Sequence, residues 1–190
     1  GPSFLSSYLC VGLFKNTRLI FPTYFILYSS GFLCSLLFRP QKSSEFSYLK
    51  KTKKEISGSD FLGNILDTSI MNGFETITKL GGYILIFSIL QGISSIALRS
   101  FPTLGYFLQG ITEITTGNAA LSKASWSFDL LYPLILAFTS FGGLSVAAQT
   151  KSMLADTDLP FSSYLKGKIC NFFCTFAIAF CLVKIVKVII

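Results

Sequence analysis

No histidine occurs among the 190 residues, and only 13% of them are charged. The missing imidazole removes the commonest general base and the commonest metal ligand. No phosphate-binding loop or dinucleotide fingerprint is present either. The glycine pairs Gly81-Gly82 and Gly142-Gly143 do not sit between a strand and a helix with a following lysine. These absences argue against an enzyme, so no catalytic residue and no cofactor are expected. The five cysteines, Cys10, Cys34, Cys170, Cys174 and Cys181, all lie inside apolar runs. Cys170 and Cys174 share a helix face, but nothing elsewhere in the sequence completes a metal set, so no metal site is expected. They read as small hydrophobes in a membrane helix.

What the chain has in quantity is apolar surface. Its hydrophobic fraction is 51% and its mean hydropathy is +0.61. A soluble domain carries about 25% charged residues, and one soluble core of this size cannot hide so dense an apolar content. The bilayer is the natural solvent for the excess. The 20 phenylalanines and 8 tyrosines suit lipid contact and the headgroup zone. The net charge of +7 comes from residues placed between apolar runs, without a patch of interleaved stacking aromatics. They therefore read as topology signals and contacts with anionic lipid, and nucleic acid is not an expected partner.

Along the chain, Ser3 to Phe14 is apolar but too short to span, since a span needs about 20 residues. The Gly1-Pro2-Ser3 start reads as a cut into a longer protein and not as a signal peptide. Leu19 to Phe38, uncharged and bracketed by Arg18 and Arg39, predicts a full transmembrane helix with Pro22 in its first turn. The loop 39–58 is basic, so the positive-inside rule makes it cytoplasmic. Residues 59–190 then read as one membrane domain. Ser59 to Lys79 carries Leu62, Leu66, Ile70, Phe74 and Ile77 at helical spacing and predicts an amphipathic helix on the membrane surface or the bundle, with Ser59 or Asp60 as its N-cap. Gly81 to Leu98 predicts the next span. The segment 100–122, with Pro102, Gly105, Gly110, Gly117 and the acid Glu113, predicts a re-entrant or broken helix. Leu130 to Thr150 is interrupted at Ser140-Phe141-Gly142-Gly143. Lys151 to Lys168 reads as a short polar loop. Ile169 to Ile190 is the last span, with Lys184 and Lys187 near its far end, where their stems can snorkel. The fold class expected is all-α: a polytopic membrane protein with full transmembrane helices plus a broken or re-entrant helix.

Two polar clusters stand out. Glu113 is an ionisable group inside a membrane segment, which costs several kcal/mol unless paired or hydrated. Around it, Thr115, Thr116, Gly117 and Asn118 add hydroxyls, a turn-permitting glycine and an amide. Broken membrane helices expose free N–H and C=O groups that bind ions and anionic substrates. The bland alternative is that Glu113 simply caps a half-helix. The second cluster is Ser140, Gly142, Gly143, Ser145 and Gln149, for which tight packing through small residues is the bland alternative.

The blocks Gly1-Pro2-Ser3-Phe4, Ile77-Thr78-Lys79-Leu80-Gly81-Gly82-Tyr83, Glu113-Ile114-Thr115-Thr116-Gly117 and Phe141-Gly142-Gly143-Leu144-Ser145-Val146 with Gln149, and the pair Tyr164 and Lys168, carry a resemblance. The chain resembles the C-terminal half of the YlbJ family of sporulation integral membrane proteins. That family contains the Gate, or nucleoside-recognition, domain shared with nucleoside transporters and spore maturation proteins. The resemblance implies two related halves built from broken helices. It also implies movement of dipicolinic acid across the outer forespore membrane. By position it places Glu113, Thr115, Thr116, Gly117, Ser140, Gly142, Gly143, Ser145 and Gln149 along the route. Ala148 departs from a pattern that often carries histidine there. A substrate that is a small aromatic dianion would be repelled by Glu113, so that carboxylate is expected to couple a proton or cation, orient a half-helix or gate. Hydroxyls, the amides of Asn118 and Gln149 and backbone N–H groups would meet the substrate. Two alternatives stay open: a Gate-domain transporter of a nucleoside or ion, and a non-transporting scaffold for spore formation. Neither an oligomeric state nor a coupling ion is legible.

Overall fold

A computed structural model describes residues 1–38, 60–154, 157 and 159–189. Among these residues every regular element is helical. The basic loop 39–58 and the Ser59 cap lie outside the described residues.

The chain opens with a wide π-type helix, Phe4–Leu13, and a 3-10 turn, Thr17–Leu19. Seven α-helices follow: α1 (Ile20–Leu37), α2 (Asp60–Ala97), α3 (Pro102–Thr112), α4 (Ile114–Leu121), α5 (Phe128–Phe141), α6 (Gly143–Met153) and α7 (Phe161–Ile189). Among the described residues, four segments are long and apolar enough to cross a bilayer: Thr17–Leu37, Gly63–Ala97, Phe128–Met153 and Phe161–Val188. The protein is an all-α polytopic membrane protein.

The core forms where the π-helix, α1, α5 and α7 meet. Leu9, Ile26, Tyr132, Ile135 and Ala179 are fully buried there. Polar bonds stitch the same seam. The Thr23 and Tyr132 hydroxyls are 3.0 Å apart, and the Thr175 hydroxyl donates to Ser30 at 2.8 Å. Between membrane helices such bonds contribute about 0.6–2 kcal/mol each.

Two of the sequence expectations change. The described part of the amphipathic segment, from Asp60, and the span from Gly81 form one helix, α2. Neither Gly81 nor Gly82 has positive φ, and a helical glycine costs only about 1 kcal/mol relative to alanine, so the pair does not end the helix. At 1.5 Å per residue, the 38 residues of α2 are about 57 Å long, against about 30 Å of hydrocarbon. The half carrying Asp67, Glu75 and Lys79 is therefore continuous with the span and not set off from it by a break. Its stripe residues Leu66, Ile70, Phe74 and Ile77 are exposed and not packed on the bundle. The polar loop expected over 151–168 is also shorter, because α6 runs to Met153 and α7 starts at Phe161. Lys168 consequently sits inside α7. At the far end of that helix Lys187 does not simply snorkel, but pairs with Asp129 at 2.6 Å.

The segment 100–122 folds as a helical hairpin. Pro102 starts α3 at a position that has no N–H to satisfy. Glu113 then takes an extended conformation (φ −147°, ψ 136°) and the chain reverses into α4. Gly110 and Gly117 let the arms touch. A Cβ on Gly117 would overlap the Gln109 carbonyl and lie 2.8 Å from the Gly110 Cα.

The second interruption is built differently. Gly142 (φ +88°) and Gly143 (φ +79°) are both left-handed, so α5 ends and α6 begins on residues without a Cβ. This break rests on the hairpin tip: a Cβ on Gly143 would lie 3.1 Å from both the Glu113 Cα and the Thr112 carbonyl.

A methyl group at position 117 meets rigid backbone, whereas at position 92, on α2, it meets open space. Gly117→Ala should therefore lower stability by about 1–3 kcal/mol, the usual range for overpacking, and Gly92→Ala should not. Thermal unfolding in detergent micelles checks this, and equal melting of the two variants would contradict the hairpin.

Candidate functional site

The tip of the hairpin is organised by one carboxylate. Glu113, 4% exposed, is the N-cap of α4. Its Oε2 accepts from the Thr115 N–H at 2.9 Å, the Thr116 N–H at 2.7 Å and the Thr116 hydroxyl at 2.6 Å. An anion at a helix N-terminus also sits favourably in the helix dipole. The bland reading of Glu113 as a cap is thus correct as local structure, and it leaves open what else the group does.

Around this carboxylate the fold gathers groups from four other elements. The Thr116 hydroxyl also contacts Oε1 of Gln91 from α2. The Tyr8 hydroxyl, from the π-helix, donates to the Thr115 carbonyl. Asn118 is fully buried and donates from Nδ2 to the Thr139 hydroxyl on α5 at 2.9 Å. Gly143, at the start of α6, closes on the backbone of Glu113. Two buried atoms in this region have no partner among the described residues, the amide nitrogen of Gln91 and the amide oxygen of Asn118. Unpartnered buried polar atoms are uncommon and call for an explanation, an ion or water among them.

The end of α5 is satisfied by a cation. The Phe138 carbonyl accepts from the Gly142 N–H at 2.9 Å, and the Ser140 carbonyl accepts from Nζ of Lys168 at 3.1 Å. A lysine at a helix C-terminus bonds the orphan carbonyls and complements the dipole. Beside it, a cavity of about 270 Å³ is lined by Ile114, Thr139, Ser140 and Asn171 together with Pro2, Phe4 and Leu27. The amide oxygen of Asn171 is a third buried atom without a partner among the described residues.

Of the residues singled out in the sequence, Glu113, Thr115, Thr116, Gly117, Asn118 and Gly143 meet at the hairpin tip. Gly142 packs on Val146. The Ser140 side chain is bonded to the Ala137 and Asn171 carbonyls, while the residue lines the cavity. Ser145 and Gln149 pair with each other at 3.2 Å, one turn apart on α6. Tyr164 and Lys168 lie together, with Nζ 5.9 Å from the ring centre, and the Tyr164 hydroxyl is 3.2 Å from that of Thr150.

Several partners were not singled out. Gln91 had a usable signal, as an amide in a span without charge. Tyr8, Thr139 and Asn171 had none, since each is an ordinary residue until the fold brings it to the breaks. The sequence offered no third partner for Cys170 and Cys174, but Cys34 of α1 lies beside them, with all three sulfurs within 4.8 Å of one another. Sequence spacing could not show this, because the third cysteine comes from a helix 136 residues away.

The chain is similar to sporulation integral membrane protein YlbJ of Bacillus subtilis (strain 168), with 24% identity over 202 residues, covering 88% of this chain and 49% of the relative. The chain thus spans about half the length of that curated relative. No family profile and no solved structure matches.

Removing the cap separates two uses of Glu113. Glu113→Ala leaves the first N–H groups of α4 without their acceptor and should lower stability by about 1 kcal/mol. Glu113→Gln keeps an acceptor oxygen and should lose less. Thermal unfolding of both variants in detergent tests the cap, and an alanine variant as stable as wild type would contradict it.

Proposed function

We propose that this chain is part of a membrane transporter of the YlbJ type, corresponding to its Gate-like C-terminal half. The cargo we infer is a small aromatic dicarboxylate, dipicolinate, moved across the outer forespore membrane during sporulation. The observation that carries this reading is the meeting of two helix breaks, at Glu113 and at Gly142-Gly143, with buried unpartnered amides beside them. Irregular backbone at membrane depth persists where it lines a cavity, and such crossings hold the cargo sites of many transporters. The likeness to a sporulation membrane protein supports the cell context. A scaffold has no use for such a site.

In this reading the two polar regions divide the work. The cavity beside Ser140 and Asn171, near Lys168 on the Ser140 carbonyl, is the side assigned to the anion in this reading. The Glu113 carboxylate would repel a dianion and serves coupling instead. The Thr116 hydroxyl joins this carboxylate to the side-chain amide of Gln91, so a proton or cation taken up at Glu113 would be felt on α2. With only about half of the relative's length covered, the cargo path is expected to need the remainder of the protein as well.

The test is labelled dipicolinate flux in proteoliposomes made with the longest natural protein containing this chain. Flux that rises or falls with a pH gradient, ignores excess nucleoside and loses its pH dependence in Glu113→Gln supports the reading. Flux competed by nucleoside moves the cargo to that class. Flux and pH dependence unchanged in Glu113→Gln would remove Glu113 from coupling.

A further inference from the structure

We propose a thiolate site for a soft monovalent metal ion, copper(I), at the seam between α1 and α7. Its ligands are Cys34 on α1 and Cys170 with Cys174 on α7. The two cysteines on α7 are four residues apart and so share a face. Cys34 Sγ lies 3.9 Å from Cys170 Sγ, and Cys170 Sγ lies 4.0 Å from Cys174 Sγ. An ion about 2.3 Å from each of three thiolates in a plane requires sulfurs about 4.0 Å apart, using the usual metal–thiolate distance. Two of the three separations match that value and the third lies within 4.8 Å, so the sulfurs are gathered before any ion binds.

The surroundings hold these ligands in place. Cys34 is 7% exposed. One turn before it, Ser30 accepts the hydroxyl of Thr175, the residue next to Cys174, at 2.8 Å. That bond fixes the register of α1 against α7, so the sulfurs do not meet by chance sliding. The other two cysteines are elsewhere. Cys10 contacts the Thr23 hydroxyl at 3.6 Å, and Cys181 is exposed.

The chemistry of the set selects the ion. The group contains three sulfurs and no carboxylate, and the chain contains no histidine. Zinc favours four ligands, whereas soft thiolates alone favour copper(I), which accepts three. Binding displaces thiol protons and leaves the metal between two transmembrane helices, which it would tie together. Because protons are released, uptake should strengthen as pH rises. Small cysteines packing two helices closely are the plainer account of the same residues. That account predicts no metal retention.

The experiment is anaerobic titration of the whole chain, in detergent micelles, with copper(I) alone, in competition with a colorimetric copper(I) chelator. The expected result is one ion retained per chain, with three sulfur neighbours at about 2.3 Å by X-ray absorption. Cys34→Ala and, separately, Cys174→Ala should lose stoichiometric retention, while Cys181→Ala should keep it. Thermal unfolding without metal establishes that each variant is folded, and the second variant serves where the first is not. Complete loss of copper to the chelator by the wild type would overturn the proposal. So would undiminished retention in both the Cys34 and the Cys174 variants.

Discussion

A bilayer offers no water to an interrupted helix, so each break must find partners for its own backbone. That requirement shapes the centre of this protein. At the first break the chain supplies an anion: Glu113 turns its carboxylate onto the amides that open α4. At the second it supplies a cation, as Lys168 reaches the Ser140 carbonyl near the end of α5. Helix N-termini are favoured by negative charge and C-termini by positive charge, so the two choices follow the same rule with opposite sign. Both ends are thus satisfied by charged side chains.

The rest of the bundle serves that arrangement. The glycines at 110, 117 and 143 remove the side chains that would hold the hairpin arms and the second break apart. The seam of the π-helix, α1, α5 and α7 gives the rigid wall, through buried Tyr132, Ile135 and Ala179 and hydroxyl bonds such as Thr23 to Tyr132. Helix α2 packs little of its surface but delivers Gln91 to the tip. The partly satisfied polar groups left at the crossing are what a cargo or an ion would use in the transport reading. A purely structural crossing would have more reason to pair them.

Much of the fold was legible because membrane helices advertise themselves through length and apolarity. The spans at 19–38 and 81–98, the hairpin around Glu113 and the interruption at Gly142-Gly143 all follow from runs of apolar residues and their polar or glycine interruptions. The errors came where local signals are weak. Gly81-Gly82 looked like a boundary, yet a glycine pair in a helix carries only a modest penalty, and α2 runs through it. The early start of α7 was hidden because Phe161 to Lys168 is polar enough to read as a loop. At the site, Glu113 and its threonines were visible as a sequence block, since their bonds are local. Gln91, Tyr8 and Asn171 were not, and neither was the approach of Cys34 to Cys170 and Cys174, because these contacts join distant helices and follow only from packing.

The central claim is that the crossing of the two breaks is a hydrated route which the cargo enters. It is tested most directly by placing single cysteines at Ser140 and at Leu136, in a background with the five native cysteines replaced by alanine, and treating membranes with a hydrophilic thiol reagent. Ser140 lines the cavity, whereas Leu136 is fully buried in the helix wall. The account predicts that position 140 reacts, that dipicolinate slows the reaction, and that position 136 stays inert. An unreactive position 140, or one that reacts at the same rate with and without dipicolinate, would contradict it.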